Sequence, residues 1–343
     1  MNKIQLISIP ISVILFALVL RSVDLSKVLD LMGSANPAFL IAALATVLFE
    51  ALFKSAKLKV ITSTQAKCSL ADAAAVYLIG IPFGAVTPGK AGDLLKLYSL
   101  SRRTNLPVAS CLAIGMLERA VDLVATIVLA AAGVLFITSR QELDGVVLFA
   151  LALSVLSTML FIVVISQRRV LSLLRLASNR LAPPLYRASI KDGMDGFYTS
   201  IATITQARHR LAMAMFFAFL TSLAISSRGF FIGEALGMAL PLLYFILLVP
   251  IVTLVELLPI SILGLGTREY TVIWLFSSFG VSSEHAFSLS LLIFVTTLTP
   301  LVIAGYVIMY IEHNLTRQVR ARRSKTDTRD GGTGIPEKAG KGD

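Results

Sequence analysis

The stretch Ile81-Pro82-Phe83-Gly84-Ala85-Val86-Thr87-Pro88-Gly89-Lys90-Ala91-Gly92-Asp93 sets prolines, glycines and two charges inside a long apolar run, and it narrows what the chain can fold into. Hydrocarbon admits a broken helix or an ionised side chain only where protein or a water-filled cavity encloses it. A second interruption of like composition follows, Leu258-Pro259-Ile260-Ser261-Ile262-Leu263-Gly264-Leu265-Gly266-Thr267-Arg268-Glu269. Two such breaks in one chain are the leading candidates for its working site.

The membrane setting comes from composition. Of 343 residues, 56% are hydrophobic and 15% charged, with a mean hydropathy of +0.82. The apolar residues form long runs rather than alternating patterns, as in a polytopic helical membrane protein. Lys and Arg outnumber Asp and Glu 31 to 20, an excess that collects in cytoplasmic loops of such proteins and argues against a nucleic-acid partner. Cys68 and Cys111 suggest no disulfide framework, and His209, His285 and His313 are too scattered to form a metal site. No metal and no cofactor is expected.

The expected fold is all-α, with about six spanning helices and two re-entrant helical hairpins. The spans fall near residues 4–20, 37–53, 106–137, 146–166, 211–232 and 286–310, and the hairpins near 69–100 and 241–279. The first span has no small-x-small cleavage site after it and reads as uncleaved. Lys54, Lys57, Lys59 and Lys67 read as a cytoplasmic loop, as do the eight cations of residues 167–210 and the basic segment after 315. Every cationic loop then lies on one side, with both termini cytoplasmic, although two full spans in place of a hairpin would preserve the same parity. The domain reading is a membrane domain over 1–315, including the basic cytoplasmic loop 167–210, followed by a disordered basic tail over 316–343. Gly229-x-x-x-Gly233-x-x-x-Gly237 reads as a close-packing surface, within the chain or between copies in a homo-oligomer.

The unit of span, hairpin and span occurs twice, with the hairpins opening to opposite sides. Pro82 aligns with Pro259, Lys90 with Arg268 and Asp93 with Glu269, allowing a one-residue gap. Inverted repeats whose broken helices meet near the midplane are a recurring transporter architecture. A charge near the bilayer centre costs at least about 2.5–3.5 kcal/mol, so ionised residues there need a reason. The candidate substrate-binding set is Lys90, Asp93, Lys96, Glu118, Arg119, Asp122, Glu256, Arg268 and Glu269, and the candidate hinges are Pro82, Pro88, Gly89, Gly92, Pro259, Gly264 and Gly266. Purely structural ion pairing is the competing account. Glu50 and Arg228, each a turn from a span end, read as snorkelling to the interface. Gly84-x-x-x-x-Gly89-Lys90 imitates a phosphate-binding loop, but Ala91 stands where a magnesium-holding Ser or Thr belongs and no strand precedes it.

Thr87-Pro88-Gly89-Lys90-Ala91-Gly92-Asp93-Leu94-Leu95-Lys96, Leu117-Glu118-Arg119-Ala120-Val121-Asp122 and Gly264-Leu265-Gly266-Thr267-Arg268-Glu269 together resemble the lysylphosphatidylglycerol synthase transmembrane region family. The resemblance covers most of residues 1–315 and implies a flippase-like domain that moves a lipid between leaflets of a prokaryotic cytoplasmic membrane. Its implied partners are a phospholipid, a glycolipid or a lipid-linked intermediate, with a lipid-modifying enzyme as a further one. The chain departs from the family pattern at Lys90 and Asp93, where Arg and Glu are more frequent. It departs again at Ile293, Phe294 and Val295, where an Arg is common. No aminoacyltransferase domain is expected after residue 315, so lysyl transfer is not implied and the chain reads as a non-enzyme. The alternatives are an integral-membrane enzyme or accessory subunit for a glycosyl- or aminoacyltransferase, and a transporter of small solutes.

Overall fold

The computed structural model describes residues 3–86, 94–138, 184–256 and 264–330, and these are helical, with no strand among them. In chain order the helices are α1 (Lys3–Arg21), α2 (Leu25–Gly33), α3 (Pro37–Thr62), α4 (Leu70–Val86), α5 (Leu94–Thr104) and α6 (Val108–Thr138). They continue as α7 (Pro184–Gln206), α8 (Arg208–Ala235), α9 (Leu242–Glu256), α10 (Thr267–Ser277) and α11 (Ser283–Asp330). Four of them are long and apolar enough to cross a membrane: α3, α6, α8 and α11 over Ser283–Glu312. These coincide with four of the expected spans. The expected span at 146–166 lies outside the described residues, as do Pro88, Gly89, Lys90, Gly92, Asp93 and Pro259.

Local sequence accounts for the helix ends. Asp24 caps α2 by accepting from the Ser26 and Lys27 N–H groups, and Asn36 caps α3 by accepting from Ala38, with Pro37 in the first helical position where its missing N–H costs nothing. Gly237, at φ 75°, stops α8: the Met238 N–H turns back to the Gly233 carbonyl at 2.9 Å. Gly237 therefore ends a helix, whereas the glycines before it pack: a Cβ on Gly233 would lie 2.6 Å from Cζ of Phe245 on α9.

One boundary corrects the sequence reading. α3 runs on through Thr62, so Lys54 and Lys57 are helical and inside the fold, and Lys57 is fully buried. A run of lysines with no carboxylate among them reads as a solvated loop, but Lys54 pairs with Glu50 one turn earlier on α3, and Lys57 with Glu118 and Asp122 of α6.

The packing repeats. α3 lies along α8, while α4 packs on α11 and α9 packs on α6. Both of the latter seams depend on a glycine: a Cβ on Gly133 of α6 would come 2.2 Å from the Leu247 carbonyl oxygen of α9, and one on Gly305 of α11 would come 2.4 Å from the Leu78 carbonyl oxygen of α4. The arms of each pair, α4 with α5 and α9 with α10, also contact each other, and α5 and α10 lean on α6 and α11 respectively. The main apolar core fills the space among α6, α8, α9, α10 and α11, with Phe245, Leu248, Leu275 and Phe276 buried at its centre.

Candidate functional site

Buried charges gather in two places. On the first-half side, α5 presents Lys96, whose Nζ donates to Glu118 Oε2 of α6 at 3.0 Å. The stem of Lys96 crosses α4 at Gly80, where an added Cβ would sit 3.0 Å from the lysine Cβ. From α3, Lys57 reaches the same carboxylates, 3.8 Å from Glu118 and in direct contact with Asp122. Glu118 is thus held between two ammonium groups, while Asp122, one turn on, keeps about a third of its side chain (35%) accessible. Arg119, between them on α6, is half-buried.

A neighbouring group on α3 extends the polar surface. Glu50, 3% exposed, accepts from Arg228 Nη1 of α8 at 2.6 Å and pairs with Lys54 at 2.9 Å. The Lys54 ammonium also stands 5.5 Å from the ring centroid of Tyr77 on α4. Glu50 and Arg228 do not reach out of the fold, as snorkelling would require; each is buried against the other, where an unpaired charge is costly.

The second cluster is built on the start of α10. Gly264 and Gly266 both have positive φ, 74° and 84°, a conformation that favours glycine, and they turn the chain into the helix. Gly266 is also where α1 touches: an added Cβ would be 2.6 Å from Leu15 Cβ. Glu269 is wholly buried, and its Oε2 accepts from the Gly266 N–H at 2.7 Å, capping its own helix. Its Oε1 contacts Arg268 Nη2. Arg268 Nε donates to Ser290 Oγ of α11 at 3.0 Å and lies 3.7 Å from Glu256 at the end of α9. The guanidinium sits 4.6 Å from the ring centroid of Phe294, a cation–π contact.

The two clusters share a construction. In each, a cation on the second arm of a pair reaches the following long helix across 22 residues of chain, Lys96 to Glu118 and Arg268 to Ser290.

A family model, the lysylphosphatidylglycerol synthase TM region, matches residues 5–305. The chain belongs to that family. No curated protein matches it closely enough to add a relative. In this member of the lysylphosphatidylglycerol synthase TM region family, the ring of Phe294 faces Arg268, a place where a second cation would be repelled.

Of the residues singled out from sequence, Lys96, Glu118 and Asp122 come together, and Glu256, Arg268 and Glu269 come together. Pro82 packs beneath Gly305, its ring atoms 2.8 Å from where a Cβ would lie. Sequence reasoning missed Lys57, Ser290 and Phe294 and undervalued Glu50, Lys54 and Arg228. One signal was present: Glu50, Lys54 and Lys57 follow i, i+4, i+7 spacing, a polar stripe along one helix face. Among the described residues no His, Cys, Asp and Glu cluster could hold a metal ion.

Proposed function

We propose that the chain moves an amphipathic lipid or lipid-linked intermediate between leaflets, its headgroup passing along the buried charges while the acyl chains stay in lipid. The observation that carries this reading is the matched pair of buried bridges, Lys96 to Glu118 and Arg268 to Ser290, each joining the second arm of a helix pair to a long, mostly apolar helix that follows it. An ion pair and a charged hydrogen bond serving stability alone have no reason to recur at one chain separation.

The same bridges, together with the reciprocal seams at Gly133 and Gly305, support an inverted repeat in which α3 to α6 correspond to α8 to α11. In this account α4–α5 and α9–α10 are re-entrant hairpins opening to opposite faces, and exchange of the two halves' conformations exposes a shared site alternately. The face bearing Lys59, Lys67, Arg102 and Arg103 is cytoplasmic by its cationic excess. Lys57, Lys96 and Arg268 attract a phosphate or other anionic headgroup, while Glu118, Asp122 and Glu256 orient those cations. Arg119 and, beyond the described residues, Lys90 and Asp93 belong to the same passage by sequence.

The test is leaflet exchange of a fluorescent phospholipid in vesicles containing the purified chain, read by loss of fluorescence to an impermeant quencher. Exchange should be faster than in protein-free vesicles, slow sharply in Lys57→Ala and Arg268→Ala, and recover in part in Arg268→Lys. Equal rates with and without the protein, across anionic, zwitterionic and glycosylated lipids, overturn the proposal.

A further inference from the structure

Away from the buried clusters, the start of α4, the end of α5 and a point along α11 meet through charge at one extremity of the α4–α5 pair. Asp72 is the third residue of α4, Arg103 the penultimate residue of α5, and Glu312 lies far along α11. Arg103 Nη1 is 2.7 Å from Asp72 Oδ1, and its Nη2 contacts Glu312. At the other extremity the corresponding ends meet through aromatic rings. Tyr244 is the third residue of α9, Phe279 follows the end of α10, and Phe136 lies far along α6. Their ring centroids are 4.9 Å (Tyr244 and Phe279), 5.3 Å (Phe136 and Tyr244) and 6.4 Å (Phe136 and Phe279) apart.

The spacing places these triads on opposite sides of the molecule. α6 begins four residues after the end of α5, beside Arg103. From Val108 to Phe136 it climbs about 42 Å at 1.5 Å per residue, close to the roughly 40–45 Å of a bilayer with its headgroup regions. α11 begins beside Phe279, and from Ser283 to Glu312 it climbs back by about the same length. Asp122 stands half-way between the triads on α6. Each triad therefore ties both arms of one helix pair to the long helix of the other half, on its own side of the buried charges.

We propose that the two triads are the doors of the shared passage, one ionic and one aromatic, each of which parts when the passage faces its side. This rests on the inverted-hairpin reading above. The contact between an arm pair and the opposite half's long helix is the one that must change when halves exchange conformations. Both doors are built to part. The ionic one has side chains 25–40% exposed, so water competes for them and salt screens them. The aromatic one holds through ring-edge contacts that salt does not weaken. The two faces thus answer to different chemistry although the helices that bear them correspond.

The test reads access rather than transport. In a chain with Cys68→Ala and Cys111→Ala, the reporter Thr126→Cys lies one turn beyond Asp122 and between the doors. Vesicles with the protein in known orientation are treated with a membrane-impermeant thiol reagent from one side at a time. Arg103→Ala should raise labelling from the Arg102 face, up to about fivefold for loss of an exposed ion pair. Phe279→Ala should raise it from the opposite face only. With both triads intact, raising the salt from about 0.1 M to about 1 M, which shortens the screening length from about 10 Å to about 3 Å, should reproduce the Arg103→Ala effect on its own face alone. This last arm needs no door variant and stands even if one misfolds. Labelling from the same face in both variants, or no response to salt on either face, overturns the proposal. If access responds as expected but no lipid moves, the transport reading fails and the doors stand; if lipid moves while access does not respond, only the doors fail.

Discussion

Breaking the Glu50–Arg228 pair from either end should have unequal consequences. Glu50 holds two cations, Arg228 at 2.6 Å and Lys54 at 2.9 Å, whereas among the described residues Arg228 forms an ion pair only with Glu50. Removing one partner of a buried ion pair costs about 3–5 kcal/mol, because the survivor is left charged and unsolvated. Glu50→Gln strands a guanidinium that is 2% exposed and deprives Lys54 of its partner, which places it at the upper end, about 5 kcal/mol. Arg228→Met leaves Glu50 with Lys54, at about 3 kcal/mol or less. The double variant leaves only Lys54, which is 24% exposed and can reach water, so it should be more stable than Glu50→Gln alone. At roughly 2 °C per kcal/mol for a chain of this size, thermal unfolding in mild detergent should show falls of about 10 °C and about 6 °C for the single variants. An Arg228→Met protein that melts at or below Glu50→Gln, or a double variant equal to the sum of the singles, refutes the reasoning.

Gly305→Ala and Gly133→Ala should each cost at least about 1–3 kcal/mol by overpacking, since the obstructing atoms are backbone carbonyls that cannot rotate away. Gly193→Ala on α7, where nothing lies within 4 Å, should instead be neutral or stabilising by up to about 1 kcal/mol; thermal melts of all three decide it. Lys57→Met should cost about 3 kcal/mol and suppress lipid exchange, and adding Asp122→Asn should restore stability but not exchange, as read by melting and by the vesicle assay. At the Arg102 face, the Ser69 hydroxyl above all holds the Asp72 carboxyl below its ordinary value of 3.8, with burial opposing it next and Arg103 adding to the lowering. A lowered folded pKa contributes stability above the unfolded value that is lost as pH falls through the folded one. The Asp72–Arg103 contact, with Glu312 on the other side of the guanidinium, should therefore hold from about pH 8 to pH 5 and begin to part only below about pH 4, read as the ratio of labelling from that face in the intact chain to that in Arg103→Ala, which cancels the loss of thiolate as pH falls.

The parts of this fold that follow local rules were legible in the sequence. Long apolar runs marked α3, α6, α8 and α11, and the glycines before α10 with Arg268 and Glu269 at its start marked the second buried cluster. What stayed hidden was pairing over distance. Lys57 meets Asp122 across 65 residues of chain, a relation that hydropathy does not encode, so its position after an apolar run made it look like a loop residue. Arg228 and Glu50 were misjudged for the same reason, each being near a span end by counting but buried by its partner helix. Glu269 shows a subtler limit: its type and place suggested a ligand in an open passage, whereas its carboxylate is occupied by its own helix start and by Arg268.

The glycine seams have a consequence for how the chain must be assembled. α4 rests on α11 as well as on its neighbour α3, and α9 on α6 as well as on α8, so each of these helices is seated between elements from both ends of the chain. Residues 1–138 expressed alone would present Leu78 and Pro82 to lipid with no Gly305 beneath them, and the arm would lack its resting place. Synthesis thus delivers a first stretch of helices whose seat for α4 is complete only once α11, carrying Gly305, has been inserted.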